Sequence, residues 1–268
     1  GELVEKRLAQ SEFTYMSANA YYQEEDGQTR RFKQGDKEVQ DYSVFNVKTA
    51  SGQSIDVALV GIVLPFNKPS YVSYGDVNSS FANAAERASQ EAEIVLGLTH
   101  LNIWEDEALA AATPTDIPLF MGGHEHENIT RFVNETAITK ADANAKTVYI
   151  HRFTYYPCAD VCKFTSELVD IKKPPPTDPA KAKAVEEQTN KIDDKIQAMG
   201  YDPKLSLATI NPPLEGTEAA VRNRQTNYGR LTTLSLEKGW PGADAYVFNS
   251  GSLRLDDNLS GSVTAYDV

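Results

Sequence analysis

An α/β layered domain followed by the opening of a second α/β unit is the fold class the sequence predicts, on three observations. Twice an apolar run ends in histidine, EIVLGLTH at 93–100 and IPLFMGGHEHE at 117–127, with helix-forming stretches before and between them. Strand, helix, strand is the order that lays helices on a sheet and gathers functional groups at the strands' carboxyl ends. KPPPTDPAK at 173–181 then interrupts regular structure, and strand and helix patterns resume beyond it. The organisation expected is a first domain over 1–170, a linker helix over 171–203, and the start of a second domain over 204–268.

The elements follow in order. Leu3, Val4, Leu8 and Phe13 form a rough helical stripe, so the chain opens on a helix already under way. TYMSANAYY reads as a short strand ending at Asn19, and the polar stretch 23–40 as a surface loop or hairpin. YSVFNVKT and SIDVALVGIVLPF are strand-like runs joined by the turn ASGQ. The second run is apolar on both faces from Val57 to Leu64, which predicts a central strand covered on both sides. Phe81, Ala84, Ala85, Ala88 and Ala92 recur at helical spacing over 79–93, with Asp76 placed to cap that helix. A second helix spans Glu105–Ala112, and the alternation over 129–156 predicts antiparallel strands closing the sheet. After the proline-rich break, AKAVEEQTNKIDDKIQAMG is a helix stopped at Gly200. LATINPPLEG, AAVRNRQTNYGRLTTLSLE and GADAYVFNSGSLR then begin the second unit.

Composition excludes several classes of function. Of 268 residues 41% are hydrophobic and 24% charged, ordinary for a globular protein. With 38 acidic against 26 basic residues the formal charge is −12, which argues against nucleic-acid binding, since phosphate backbones demand a basic footprint. A small anionic substrate stays allowed, because local cations or metal ions override the global field. The two cysteines, Cys158 and Cys162 in CADVC, are too few for a disulfide framework and wrongly spaced for a redox pair or closed zinc site; they read as loop thiols. No apolar run is long enough to span a membrane, and no signal peptide opens the chain. A start inside a helix reads as a trimmed fragment of a longer protein.

Three of the four histidines lie at strand ends: His100, His124 and His126. Imidazole is the commonest metal-ligating side chain, and strand-end loops hold such ligands on a rigid rim. In an extended His-x-His the two rings can serve two adjacent ions, and Gly122 and Gly123 let the backbone turn sharply and an ion approach closely. His151, inside the alternating run YIHRF, reads as structural.

GLTHLNIWEDEALA followed by PLFMGGHEHE resembles the last two metal-binding motifs of the calcineurin-like metallophosphoesterases. ADANAKTVYIHRF, AAVRNRQTNYGRL and VFNSGSLRLDDNLSGSVTAYDV resemble the 5′-nucleotidase branch of that family, and the likeness runs through nearly the whole chain. It implies part of a four-layer αββα sandwich of two sheets flanked by helices, joined to the start of a nucleotidase second domain. It implies two divalent ions, His100 and His124 binding one and His126 the other, of an identity (Zn, Mn, Fe or Co) that imidazole and carboxylate ligands do not fix. Arg222 and Arg254 match arginines that grip the substrate, while a neighbouring arginine of the pattern is replaced by Thr217. The activity implied is metal-dependent hydrolysis of phosphate monoesters, with nucleoside 5′-monophosphates the expected substrate; the alternatives are a cyclic-nucleotide or diester phosphoesterase and a non-catalytic binding module. The resemblance also leans towards an extracytoplasmic site of action.

The family pattern opens with Asp-x-His, a Gly-Asp motif and Gly-Asn-His, and none of these occurs here as the family places it. GDVNSS at 75–80 lies downstream of the Gly-Asp position, and Asp76 reads as a cap. The aromatic residues that sandwich a nucleobase in the nucleotidase second domain would lie beyond Val268. The expectation is therefore a chain truncated at both ends relative to the pattern, whose own active site is incomplete.

Overall fold

A computed structural model describes residues 2–156, 161–171 and 178–267. The chain divides into two compact units, Gly1–Lys173 and Pro174–Val268.

The first unit runs α1 (Glu2–Ala9), β1 (Ala20–Gln23), β2 (Thr29–Arg30), β3 (Lys33–Gln34), β4 (Lys37–Glu38), β5 (Tyr42–Lys48), β6 (Ser54–Val63), β7 (Val72–Tyr74), α2 (Val77–Ser89), β8 (Ile94–His100), α3 (Ile103–Ala112), β9 (Leu119–Gly122), β10 (Ile129–Val133), β11 (Thr136–Lys140), β12 (Thr147–Tyr156) and β13 (Val161–Asp170). Its main sheet has six strands in the order β10-β11-β9-β8-β6-β5. The inner four, β11, β9, β8 and β6, are parallel to one another, and the edge strands β10 and β5 are antiparallel to their neighbours. The parallel strands therefore deliver their carboxyl ends to one rim.

Alternation along the strands divides two cores between the faces of this sheet. Ala58, Val60, Ile62, Val95, Phe120 and Ile138 pack with Phe81, Ala84, Ala85 and Ala88 of α2 and Leu109 and Ala110 of α3. The helical spacing read over 79–93 is the buried stripe of α2 as far as Ala88; the helix starts two residues earlier because Asp76 caps it, accepting from the Ser79 amide at 2.8 Å, and it ends at Ser89, so Ala92 lies beyond it. On the other face Ile94, Leu96, Leu119 and Ala137 meet Phe153, Tyr155 and Phe164 of β12 and β13.

Three expectations change. The strand β12 does not join the main sheet: it pairs residue by residue with β13 as a separate hairpin, and only β10 and β11 of the 129–156 stretch extend the sheet. An alternating strand fits either arrangement, and the partner VCKFTSELVD decides it. β6 lies next to the edge, with Ala58, Val60 and Ile62 buried but Val57 and Leu59 only partly covered. Finally, Asn19 precedes a strand instead of ending one. It is buried because its amide donates to the Val63 carbonyl at 2.7 Å and its oxygen accepts the Val63 N–H at 3.1 Å, tying the 16–20 segment to the end of β6.

Gly97 of β8 shows how tightly the sheet is packed. Its strand partner Phe120 lays its ring over the position, so that an added Cβ would stand 2.5 Å from Phe120 Cδ1. Phe120 itself is fixed edge-on against Phe81 at 5.2 Å. Gly97→Ala is expected to cost about 1–3 kcal/mol through overpacking, read as a lower urea midpoint with unchanged slope; an unaltered midpoint would refute the argument.

The second unit contains α4 (Pro179–Ala198), β14 (Ser206–Glu215), α5 (Glu218–Asn223), α6 (Asn227–Gly239) and β15 (Asn258–Thr264), with β14 and β15 forming an antiparallel pair. Asp178 caps α4, accepting from Ala180 and Lys181, and Pro179 takes the first helical position, where its missing N–H is not needed. Cys158 and residues 172–177 lie outside the described residues, as does the side chain of Cys162. No helix among the described residues is long and apolar enough to cross a membrane.

Candidate metal centre

The parallel register sets the geometry of the rim. Val63 pairs with His100, Thr99 with Gly122, and Gly122 in turn with Lys140, so His100, the glycine pair and Lys140 end up side by side at the strands' carboxyl ends. The Gly123 amide donates to the Thr99 carbonyl at 2.9 Å, carrying the β8–β9 pairing one residue past the strand. An added Cβ on Gly123 would stand 3.1 Å from Nδ1 of His100, and one on Gly122 would stand 2.8 Å from Cε of Lys140. The double glycine thus makes room for an imidazole on one side and a lysine stem on the other.

His124 follows with φ at 84°, a left-handed conformation that a non-glycine residue holds at a cost of about 1–3 kcal/mol and keeps only where its surroundings enforce it. The turn brings its ring to 5.4 Å from that of His100, centroid to centroid, the two planes at 81°. Burial, reinforced by the positive fields of His124 and Lys140, holds the His100 pKa below its ordinary value, so its imidazole is neutral at neutral pH. A neutral imidazole is the form a metal ion accepts. His126 stands two residues on, half-buried, its carbonyl accepting from the Ala143 amide at 3.2 Å. Two near-perpendicular imidazoles on adjacent strand ends, with a third on the same loop, suit a transition-metal or zinc ion in donor type.

Beneath the histidines lies a feature the sequence did not suggest. Lys140, at the end of β11, is 0% exposed, as is Asp106 in the first turn of α3. The ammonium lies 2.8 Å from Asp106 Oδ2, donates to the Leu101 carbonyl at 2.6 Å, and is paired with Oε2 of Glu125, the residue between His124 and His126. The other Glu125 oxygen accepts the N–H of Ile103, the first residue of α3, at 2.6 Å. Burial opposes ionisation of Glu125, but the Lys140 ammonium and the Ile103 amide outweigh it and hold its pKa below the usual carboxylate range. For Asp106 burial prevails and pushes the pKa up, against the pull of Lys140 and Thr99.

The remaining residues singled out from the sequence stand elsewhere. His151 lies in the β12–β13 hairpin, Nδ1 2.8 Å from the Ser166 hydroxyl and its ring stacked on Tyr149. Arg222 lies in the last turn of α5 in an ion pair with Glu218 at 2.6 Å, and its guanidinium faces Gly251, three residues before the exposed Arg254. Thr217 is the residue from which α5 starts, its carbonyl accepting from Ala220 and Val221.

This fold is shared with phosphoesterases of known structure. The structure superposes on a calcineurin-like phosphoesterase from Bacillus subtilis with a TM-score of 0.53 at 15% identity, over 68% of this chain and 63% of that one. On a sulfate thiohydrolase from Thermus thermophilus the TM-score is 0.69 at 16% identity, over 98% of this chain and 46% of that one. In sequence the chain is similar to two 5′-nucleotidases. It is 24% identical to a 5′-nucleotidase of Vibrio vulnificus (strain CMCP6) over its whole length and 54% of the relative's. To the 5′-nucleotidase of Vibrio parahaemolyticus serotype O3:K6 it is 25% identical, over 96% of this chain and 51% of that protein. The chain thus spans about half the length of these curated relatives, and no family model matches it.

Proposed function

We propose that this chain supplies the imidazole ligands of a two-metal centre that hydrolyses phosphate monoesters, with nucleoside 5′-monophosphates as the substrate class. The observation that carries the reading is the meeting of His100 and His124 at 5.4 Å on the carboxyl rim of a parallel sheet, in a chain similar along its length to 5′-nucleotidases. His100 and His124 would hold one ion and His126 the other. When bound, such ions supply Lewis acidity towards phosphoryl oxygens and a nucleophile available at neutral pH. The chain's own contributions are a neutral imidazole at His100, a loop shaped by Gly122 and Gly123, and two guanidinium groups in the second unit. Arg222 and Arg254 offer planar forks of donors suited to an anionic substrate.

Hydrolysis by these 268 residues alone is expected to be weak or absent, because they hold neither the Asp-x-His nor the Gly-Asn-His of the family pattern, and the Gly-Asp at 75–76 lies downstream of that motif's place. Two measurements test the reading. Calorimetry should detect AMP binding with Mn²⁺ present and lose it in excess chelator, while phosphate release from AMP stays at background. AMP binding indifferent to the chelator, or 3′,5′-cyclic AMP bound as tightly as AMP, would overturn the substrate assignment. Robust metal-dependent phosphate release would overturn the expectation of an incomplete site.

A further inference from the structure

Glu125 sits at the one position between two candidate ligands where a charged side chain points away from the rim and into the protein. Its two carboxylate oxygens have different partners on different elements: the Lys140 ammonium at the end of β11, and the Ile103 amide at the start of α3. Lys140 cannot follow if the loop moves, because it is fully buried and also held by Asp106 and the Leu101 carbonyl. The Ile103 amide is equally fixed, since α3 is capped through Glu105, whose carboxylate accepts the Asn102 N–H at 3.0 Å. The first turn of a helix also favours an anion at this place. Between the two anchors His124 adopts its left-handed φ of 84° and turns its ring across His100. A backbone in that region reverts unless something holds it: the Gly123 amide on the Thr99 carbonyl fixes the residue before His124, and the two contacts of Glu125 fix the residue after it.

We propose that Glu125 is the positioning residue of the 124–126 loop, clamping it between Lys140 and the α3 amino terminus so that the His124 imidazole faces His100. The claim concerns the arrangement of side chains in the free protein; its consequence for metal affinity rests on the reading of the histidines as ligands. Nuclear Overhauser contacts between the His100 and His124 ring protons report the arrangement directly, without metal, and calorimetric titration with Zn²⁺ reports the consequence. Glu125→Ala removes both contacts, yet leaves Lys140 paired with Asp106, so the fold should persist. It is expected to lose the ring-to-ring contact and to weaken Zn²⁺ binding about 10- to 100-fold, as removal of groups that orient metal ligands does. In Glu125→Gln a single acceptor oxygen remains for two donors, so one clamp contact must go; a smaller loss in both readouts is expected, and this variant decides the matter should the alanine form fail to fold. Ring contacts and Zn²⁺ affinity unchanged in either folded variant would overturn the proposal. Wild-type protein that shows the ring contact but takes up no Zn²⁺ would count against the metal reading alone, and loss of the contact in the variants would still uphold the clamp.

Discussion

Lys140→Ala is expected to destabilise the first unit by about 3–5 kcal/mol, the usual consequence of removing one partner from a buried ion pair. The substitution takes from Asp106, a carboxylate with no exposed surface, the ammonium 2.8 Å from its Oδ2, and also removes the ion pair of Glu125. Asp106 would then pay its desolvation without return, or bind a proton, as its already raised pKa indicates. Glu125 would suffer less, because its side chain retains 21% exposure and can turn towards water. The loss belongs to the isolated charge and not to the lysine as such, and this gives a second, sharper expectation. Lys140→Met combined with Asp106→Leu should recover most of the stability, since no uncompensated charge remains in the interior. Trp104, at the start of α3, reports the transition in a Trp240→Phe background, which separates this unit from the other in urea titrations. A single variant within about 1 kcal/mol of wild type, well below the range for a broken buried pair, would show that the cluster is not the anchor its geometry describes.

The same cluster shows where sequence reading stops. The stripe of Phe81, Ala84, Ala85 and Ala88 was legible because helical burial repeats every three to four residues, and the apolar runs ending in His100 and His124 were legible because parallel strands are apolar on both faces. Both signals are local. Lys140 ends the run TAITK, where a lysine after an alternating strand reads as a solvated tip, and Asp106 in WEDEALAAA reads as an acid favouring a helix amino terminus. Nothing local says that they meet. Their pairing comes from register: β11 lies beside β9 with Lys140 opposite Gly122, and only a glycine there leaves space for the lysine stem to pass inward. In the sequence Gly122 signals freedom for the backbone; in the fold it also gives room to a neighbour's side chain. The Glu125 contacts are hidden in the same way, since a carboxylate between two imidazoles in GGHEHE carries no local sign of a buried lysine partner. The hairpin partner of β12 shows a related limit: alternation identifies a strand but not its neighbour, so TVYIHRFTYY fitted the main sheet as well as the separate hairpin it forms with β13.

His124→Ala is expected to weaken Zn²⁺ binding by about two orders of magnitude, more than the effect of most outer residues, because on the proposed reading it removes a ligand itself. Two features keep this reading separate from folding. The residue is only half-buried, so truncation should change stability of the metal-free chain by about 0.5 kcal/mol or less. Alanine at φ 84° is strained much as histidine is, so the substitution does not relieve the loop and mask the loss. Linkage converts the affinity into a thermal signature. With free Zn²⁺ at 100 times the wild-type Kd, binding adds about 2.7 kcal/mol of stability, and a Kd raised about a hundredfold leaves only about 0.4 kcal/mol. For a unit of this size the first corresponds to a rise in Tm of roughly 5–10 °C and the second to about 1 °C. His151→Ala is the matched control: its ring is engaged with Ser166 and Tyr149 in the hairpin, and the Zn²⁺-induced shift should survive its removal. The ligand assignment fails if His124→Ala shows the full wild-type shift, or if His151→Ala abolishes it.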